Sequence, residues 1–243
     1  MYKKMIKTLV MVGLVAVTFG SIPALAEEDA PSASADVAVL TDYIWRGYHL
    51  SEDSIVIQPS ATVSYKGFSF NLWGNLDTDQ YGMDDSNFNE TDMTLSYDWS
   101  FDTVSMGAGY IYYGLDGEDT QEFYLTAALD TILAPSLSIY RDVDTFPGWY
   151  FNIGLSHSIA FSDDLALDLS AAFGYLDADY YDYSALHDGN VSASMTFGVN
   201  KYISVTPMIA YSFALSSDAK VDMADVKGDY DHLYGGITMS VAF

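Results

Sequence analysis

The chain has 243 residues, no cysteine and a formal net charge of −25 at pH 7. Without cysteine it can form no disulfide framework, no thiolate metal site and no lipid-anchored N-terminal cysteine. The acidity excludes nucleic acid as a partner, because a phosphate backbone would be repelled. It does not indicate disorder, since 50% of the residues are hydrophobic and 15% are aromatic.

The N-terminal region has the order of a secretory signal peptide. Three lysines precede an apolar run over residues 9–19, and Ala24-Leu25-Ala26 stands before an acidic stretch. The run is about half as long as the ~20 residues that a membrane-spanning helix requires. We therefore predict that residues 1–26 are a cleaved signal peptide, residues 27–35 a flexible periplasmic leader and residues 36–243 the folded domain.

Apolar and small polar residues alternate with a period of two along the predicted domain, which indicates β-strands. In the last segment, Leu233, Ile237 and Phe243 share an apolar face, while Thr238 and Ser240 lie on the other face. Most segments are longer than the ~5–6 residues of soluble strands and suit the ~9–11 residues that cross a bilayer at a tilt. The predicted strands are residues 36–48, 54–65, 68–77, 90–100, 104–114, 120–130, 135–143, 147–160, 165–176, 187–199, 202–214 and 229–243.

The connections between these segments alternate in length. Those after even-numbered strands are short, as at Lys66-Gly67 and Asn200-Lys201, whereas residues 78–89 and 215–228 form long acidic connections after odd-numbered strands. This alternation, with an even strand number, is typical of bacterial outer-membrane barrels, which leave no sheet edge unpaired in hydrocarbon. We therefore predict an all-β fold: a closed antiparallel transmembrane β-barrel of about twelve strands, with short periplasmic turns and longer acidic extracellular loops. The alternative is a soluble β-sandwich whose core takes the aromatic residues.

The C-terminal alternation resembles a known assembly signal. Ile237, Met239, Val241 and Phe243 place an apolar residue at every second position and an aromatic residue last. This resembles the signal that the barrel-assembly machinery of Gram-negative bacteria reads. It predicts that machinery, outer-membrane lipid and lipopolysaccharide as partners, and the cell outer membrane as the location.

The first predicted strands resemble the opening of the TorF-type putative porin family. The matching residues are Asp42-Tyr43-Ile44-Trp45-Arg46-Gly47, Gln58-Pro59, Gly67-Phe68 and Trp73-Gly74-Asn75. They lie within residues 41–76, about a sixth of the predicted mature chain. The resemblance implies a porin and supplies no substrate.

Several charged residues fall on the polar face, which a barrel would turn toward its lumen. An excess of carboxylates along a narrow path favours cations. The hypothesis is therefore an outer-membrane porin-like channel for passive diffusion of small cationic or neutral solutes. The candidate lumen charges are Asp42, Arg46, Asp92, Asp98, Glu122, Asp130, Asp142 and Asp168.

Two alternatives remain open at this stage. Arg46 suits either a constriction in an open channel or an ion pair with Asp42, and a network of such pairs would plug the lumen. The protein would then be a non-conducting structural or surface-interaction barrel.

No constellation of serine, histidine and acid is apparent, so we expect no enzyme, no catalytic residue and no cofactor. We also predict no metal site. The acids of the predicted outer loops could share divalent cations with lipopolysaccharide phosphates, or they form a solvated rim; they include Asp84, Asp85, Glu90, Glu118, Asp119, Asp179, Asp182 and Asp225.

Overall fold

The computed structural model describes residues 30–51, 54–79, 86–179 and 182–243, so the predicted signal peptide lies outside the described residues. Twelve of its fourteen strands form a closed antiparallel barrel, and the other two, β2 and β3, form a short hairpin. The elements are β1 (Ser32–Leu40), β2 (Ile44–Trp45), β3 (Tyr48–His49), β4 (Val56–Tyr65), β5 (Phe68–Asp77), β6 (Asn87–Phe101), β7 (Val104–Leu115), β8 (Thr120–Leu129), β9 (Ser136–Asp142), β10 (Gly148–Ser162), β11 (Leu165–Ala178), β12 (Tyr183–Gly198), β13 (Ile203–Ala214), α1 (Ser217–Asp222) and β14 (His232–Ala242).

The barrel closes by pairing its first and last strands. From β4 onward each strand pairs with the next one in the chain, β1 pairs with β4, and β14 returns to pair with β1. The closing register places Ala38 opposite Thr238 and Leu40 opposite Gly236. The predicted closed antiparallel barrel of twelve strands is therefore confirmed. Within the described residues, no helix is long and apolar enough to cross a membrane.

The two faces of the wall follow the alternation in the sequence, because successive side chains of a pleated strand point to opposite faces. On β14, Tyr234 and Thr238 point inward and are 4% and 2% exposed, whereas Ile237 and Met239 point outward and are 53% and 51% exposed. The interior holds serine, threonine, asparagine and acidic residues together with tyrosines and a few apolar side chains, and the exterior holds most of the large apolar side chains. This distribution is the reverse of that in a water-soluble core.

The two rims of the barrel differ. On one, here called the short-turn rim, tight connections such as Lys66-Gly67 join the strands, with φ of 49° and 84° at these two residues. Positive φ at both central residues is typical of the turns that match the twist of a hairpin. On the other, the long-loop rim, lie the connections of residues 41–55 and 215–231, the second of which contains α1.

The first predicted strand, residues 36–48, is wrong in its bounds. β1 begins at Ser32, within the region predicted as a leader, and ends at Leu40. Its early start follows from pairing with β4, whose backbone continues opposite residues 32–35 although their small side chains give no alternation signal. Residues 41–51 and 54–55, here called the inward segment, lie between Leu40, where the chain leaves the wall, and Val56, where it rejoins the wall. Leu40 and Val56 pair directly with each other.

Candidate functional site

The inward segment carries a hairpin into the barrel. Strands β2 and β3 pair Trp45 with Tyr48, and Arg46-Gly47 form the turn between them with φ of 47° and 86°. A glycine adopts the second angle without the steric cost that a side chain would incur. Arg46 therefore lies at the tip of an internal hairpin rather than on a strand of the wall.

The guanidinium of Arg46 crosses to the opposite wall and binds Glu122 of β8. Its Nη1 and Nη2 each donate to one carboxylate oxygen of Glu122 at 2.7 Å, which is the two-point geometry preferred by this pair. The Arg46 Cζ atom also lies 4.4–4.8 Å from the ring centroids of Trp45, Tyr140 and Tyr150. Both charged side chains are buried, so this contact fixes the hairpin across the lumen.

The base of the inward segment is held by the residues that resemble the porin family. Tyr43 packs on Trp73 with ring centroids 5.7 Å apart, and its backbone N–H donates to Ser51 Oγ at 2.8 Å. In the wall beneath, Gln58 donates to the side-chain oxygen of Asn75 at 3.0 Å. Apart from Gly67-Phe68 on the short-turn rim, the resembling residues thus form the internal hairpin and the part of the wall on which its base packs.

The long loop of residues 215–231 covers the hairpin from the long-loop rim. Helix α1 begins after Ser216, whose hydroxyl accepts from the backbone N–H of Ala219. Ala219 and Met223 are buried, and a Cβ added at Gly47 would lie 2.5 Å from the terminal carbon of Met223. Tyr48 donates to the Asp222 carboxylate at 2.5 Å. The loop therefore packs directly on the hairpin tip.

Two acids of the wall face the interior in phase with inward residues of their own strands, although neither was among the candidate lumen charges. A register shift between β11 and β12 places both His187 and Asp188 inside, and Asp188 accepts from Tyr150 Oη at 3.0 Å. Glu90, which was predicted as an outer-loop acid, is in phase with Asp92 on the inward face of β6, next to a second shift between β5 and β6. A bulge inserts one residue, so two successive side chains can face the same side.

The candidate lumen charges fall into three groups. Asp42 and Arg46 lie in the inward segment, where Arg46 binds Glu122 and not Asp42. Asp130 follows β8 in an exposed turn of the short-turn rim. The remaining candidates occupy inward-facing positions of the wall: Asp92, Asp98, Glu122, Asp142 and Asp168.

Near the long-loop rim, the inward segment and the long loop also meet through charges. His49 Nε2 lies 3.0 Å from Asp42 Oδ1, and His49 Nδ1 lies 3.5 Å from Asp225 Oδ2. Burial by itself lowers the pKa of His49, but the hydrogen bonds and charges of the two acids outweigh it and hold the pKa above its ordinary value. Burial likewise raises the pKa of each acid, but hydrogen bonds, including those with His49, lower both pKa values below the ordinary value.

Comparisons with known proteins agree on the fold. No protein-family model and no curated protein matches the chain. Among solved structures, the KdgM porin has a TM-score of 0.57 at 11% identity, over 86% of this chain and 99% of the porin. The NanC porin has a TM-score of 0.59 at 11% identity, over 85% and 98% of the two chains. An outer membrane channel from Pseudomonas putida F1 has a TM-score of 0.56 at 10% identity, over 90% and 97%. The chain therefore has the fold of the porin-like β-barrels.

Proposed function

We propose that the protein is an outer-membrane porin-like channel for small cationic or neutral solutes, and that the inward segment restricts its lumen. The observation that carries this proposal is the combination of a closed barrel with an apolar exterior and an acidic interior. The proposal includes passive transport without catalysis, membership of the TorF-type family, and outer-membrane lipid, lipopolysaccharide and the barrel-assembly machinery as partners. The assembly signal at Ile237, Met239, Val241 and Phe243 also stays a prediction.

The exterior supports the membrane location. Large apolar side chains are exposed around the barrel, on strands far apart in the chain, including Val63, Leu125, Ile153 and Ile209. A continuous apolar surface of this kind is not tolerated in water. A bilayer would bury it, and the closed hydrogen-bonded ladder leaves no strand edge to desolvate.

The interior supports a preference for cations. Acids project into the lumen from strands on several sides, including Asp36, Asp98 and Asp168, while Arg46 is already neutralised by Glu122. Fixed negative charges along a confined path attract cations and repel anions. An acidic solute would meet no compensating row of lysines or arginines among the described wall positions.

Planar-bilayer recording of the purified protein tests this proposal. We expect small discrete conductance steps, with a reversal potential in a salt gradient that indicates cation preference. A variant in which an Asn-Gly turn replaces residues 41–55 provides the matched comparison, because Leu40 and Val56 already pair as neighbours in a hairpin would. The conductance steps of this variant should be larger, and its preference for cations should be the same as that of the native protein. Silence of both proteins, or anion preference in either, contradicts the channel.

The second candidate is a closed barrel that conducts nothing in its native form and contacts envelope components through its acidic loops. The packing of Arg46 among Glu122, Trp45, Tyr140 and Tyr150 favours it, because these side chains occupy the lumen at one level. The same recordings separate the two functions. A silent native protein beside a conducting turn-replacement variant indicates the closed barrel.

A further inference from the structure

Three side chains of metal-ligand type meet near the long-loop rim, and each comes from a different part of the fold. His49 ends β3 in the inward segment, Asp225 lies in the long loop, and His232 begins β14 of the wall. One ligand atom from each lies within 4.8 Å of the other two. The sequence alone gave no reason to group them, since 183 positions separate the two histidines.

His49 is oriented as metal-binding histidines are. Its Nε2 faces Asp42 Oδ1 at 3.0 Å, while its Nδ1 faces Asp225 Oδ2 at 3.5 Å, and its side chain is 2% exposed. A metal-ligating imidazole usually donates its second N–H to a carboxylate, which fixes the ring and raises its basicity. With Asp42 in that role, the neutral ring directs its Nδ1 lone pair toward Asp225.

The carboxylate of Asp225 is held in place by the backbone of its own loop. Its Oδ1 accepts the N–H groups of Lys227 at 2.8 Å and Asp229 at 2.9 Å. Its other oxygen, Oδ2, is the one that faces His49, and the side chain is 7% exposed. One oxygen is thus committed to the loop, and the other is available as a ligand.

His232 completes the cluster, and one of its ring nitrogens lacks a partner. Its Nε2 is buried and has no hydrogen-bond partner among the described residues. Its ring centroid lies 4.4 Å from that of His49. A buried polar atom without a partner costs free energy, and a cation at the centre of the cluster would remove that cost.

We propose that His49, Asp225 and His232 bind a divalent transition-metal ion of the zinc class, with Asp42 as the positioning residue for His49. Two imidazole nitrogens and one carboxylate oxygen suit zinc, whereas calcium and magnesium prefer oxygen ligands alone. Zn–N bonds of about 2.0–2.1 Å require the three ligand atoms to draw together on binding. The ion therefore ties the inward segment, the long loop and the wall to one another.

The test is zinc titration of the purified, chelator-treated protein without a polyhistidine tag, in competition with a chromophoric chelator. We expect one zinc ion per chain and no displacement by calcium or magnesium. His49→Ala and His232→Ala should each weaken binding more than about 100-fold, and Asp42→Asn about 10–100-fold, as for other outer-shell carboxylates. His157→Ala is the matched control, since His157 contacts the Ile132 carbonyl oxygen on the short-turn rim, and it should bind zinc as the native protein does.

Zinc binding that survives the combined loss of His49 and His232, or that is lost in the His157 variant, overturns the proposal. Should the cluster variants fail to fold, X-ray absorption at the zinc edge of the native protein decides. It should report only nitrogen and oxygen neighbours at about 2.0–2.2 Å, with histidine scattering, and a purely oxygen shell contradicts the site. Neither measurement depends on conductance, so this site and the proposed channel can fail separately.

Discussion

Two turns of the same local geometry have different roles in this barrel. Lys66-Gly67 joins β4 to β5 at the short-turn rim with φ of 49° and 84°, and Arg46-Gly47 closes the internal hairpin with φ of 47° and 86°. In each, a basic residue precedes glycine and both residues have positive φ. Lys66 lies in an exposed turn, whereas Arg46 is buried against Glu122. The backbone conformation of each turn is thus set by its own two residues. The contact of Arg46 with distant Glu122 determines that this turn lies inside the barrel rather than at its rim.

The wall and the inward segment also differ in what stabilises them. The wall has a continuous hydrogen-bonded ladder from β1 to β14, which depends little on any one side chain. In the described part of the inward segment, the strand pairs are Ile44 with His49 and Trp45 with Tyr48, so the position of the hairpin tip inside the barrel depends mainly on side-chain contacts. Because such regions open at lower free energy than a sheet, single substitutions should release the segment and leave the wall folded.

The largest effect is expected from Arg46→Ala. Removing one partner of a buried ion pair costs about 3–5 kcal/mol, because Glu122 is left buried and unpaired. The inward segment should undock. A cysteine introduced at Ala210, in the buried cluster that contains Tyr43 and Ile44, should then react with a hydrophilic thiol reagent more than about 100-fold faster.

The absence of native cysteine makes this reporter specific. Lys66→Ala in the same background is the control, and its labelling rate should equal that of the parent. Unchanged labelling in the Arg46 variant would mean that the ion pair does not hold the segment.

An intermediate effect is expected from alanine at the two turn glycines, and it should separate the two regions. Gly47→Ala combines positive φ with a Cβ 2.5 Å from Met223 Cε and 2.8 Å from Asp188 Cβ. The resulting strain of about 1–3 kcal/mol should accelerate labelling of the cysteine at position 210 and leave the unfolding temperature of the barrel unchanged. Gly67→Ala, whose Cβ would lie 2.6 Å from the Asp98 carbonyl oxygen, should lower the unfolding temperature of the barrel and leave the labelling rate unchanged. Equal behaviour of the two variants would refute the distinction.

The smallest effect is expected from Tyr48→Phe. It removes the hydrogen bond to the Asp222 carboxylate, which contributes about 1.5 kcal/mol to the contact between the hairpin and the long loop. Labelling at position 210 should rise about tenfold. Tyr65→Phe, on an exposed side chain of the wall, serves as the control, and an equal rise there would show that the assay does not report on the loop contact.

Most of the wall could be predicted from the sequence because its signal is periodic. The predicted bounds of β5, residues 68–77, match the structure, and those of β7, β8, β9 and β13 differ by one residue at one or both ends. One face of each strand is apolar and the other small or polar, and this pattern allows only one register relative to the barrel surface. Short turns such as Lys66-Gly67 then delimit the strands.

The same signal misled where tertiary structure intervened. Residues 41–48 continue the alternation of β1 and were therefore predicted as part of a wall strand. In the structure, the pairing of β1 with β4 ends at Leu40 and Val56, so residues 41–48 are not part of the wall. A bulge hid His187, which faces inward beside Asp188 because an inserted residue breaks the period of two. The partner of Arg46 lies 76 positions away, and nothing near Glu122 marks it.

By itself, the sequence determined a closed barrel with an apolar exterior and acidic residues inside, because strand periodicity and turn residues act over a few neighbouring positions. Only the tertiary structure decided that the inward segment enters the barrel, that Arg46 binds Glu122, and that His49, Asp225 and His232 converge. These contacts join residues that are distant in the chain, and local residue preferences carry no information about which of many distant partners will be adjacent once the barrel closes.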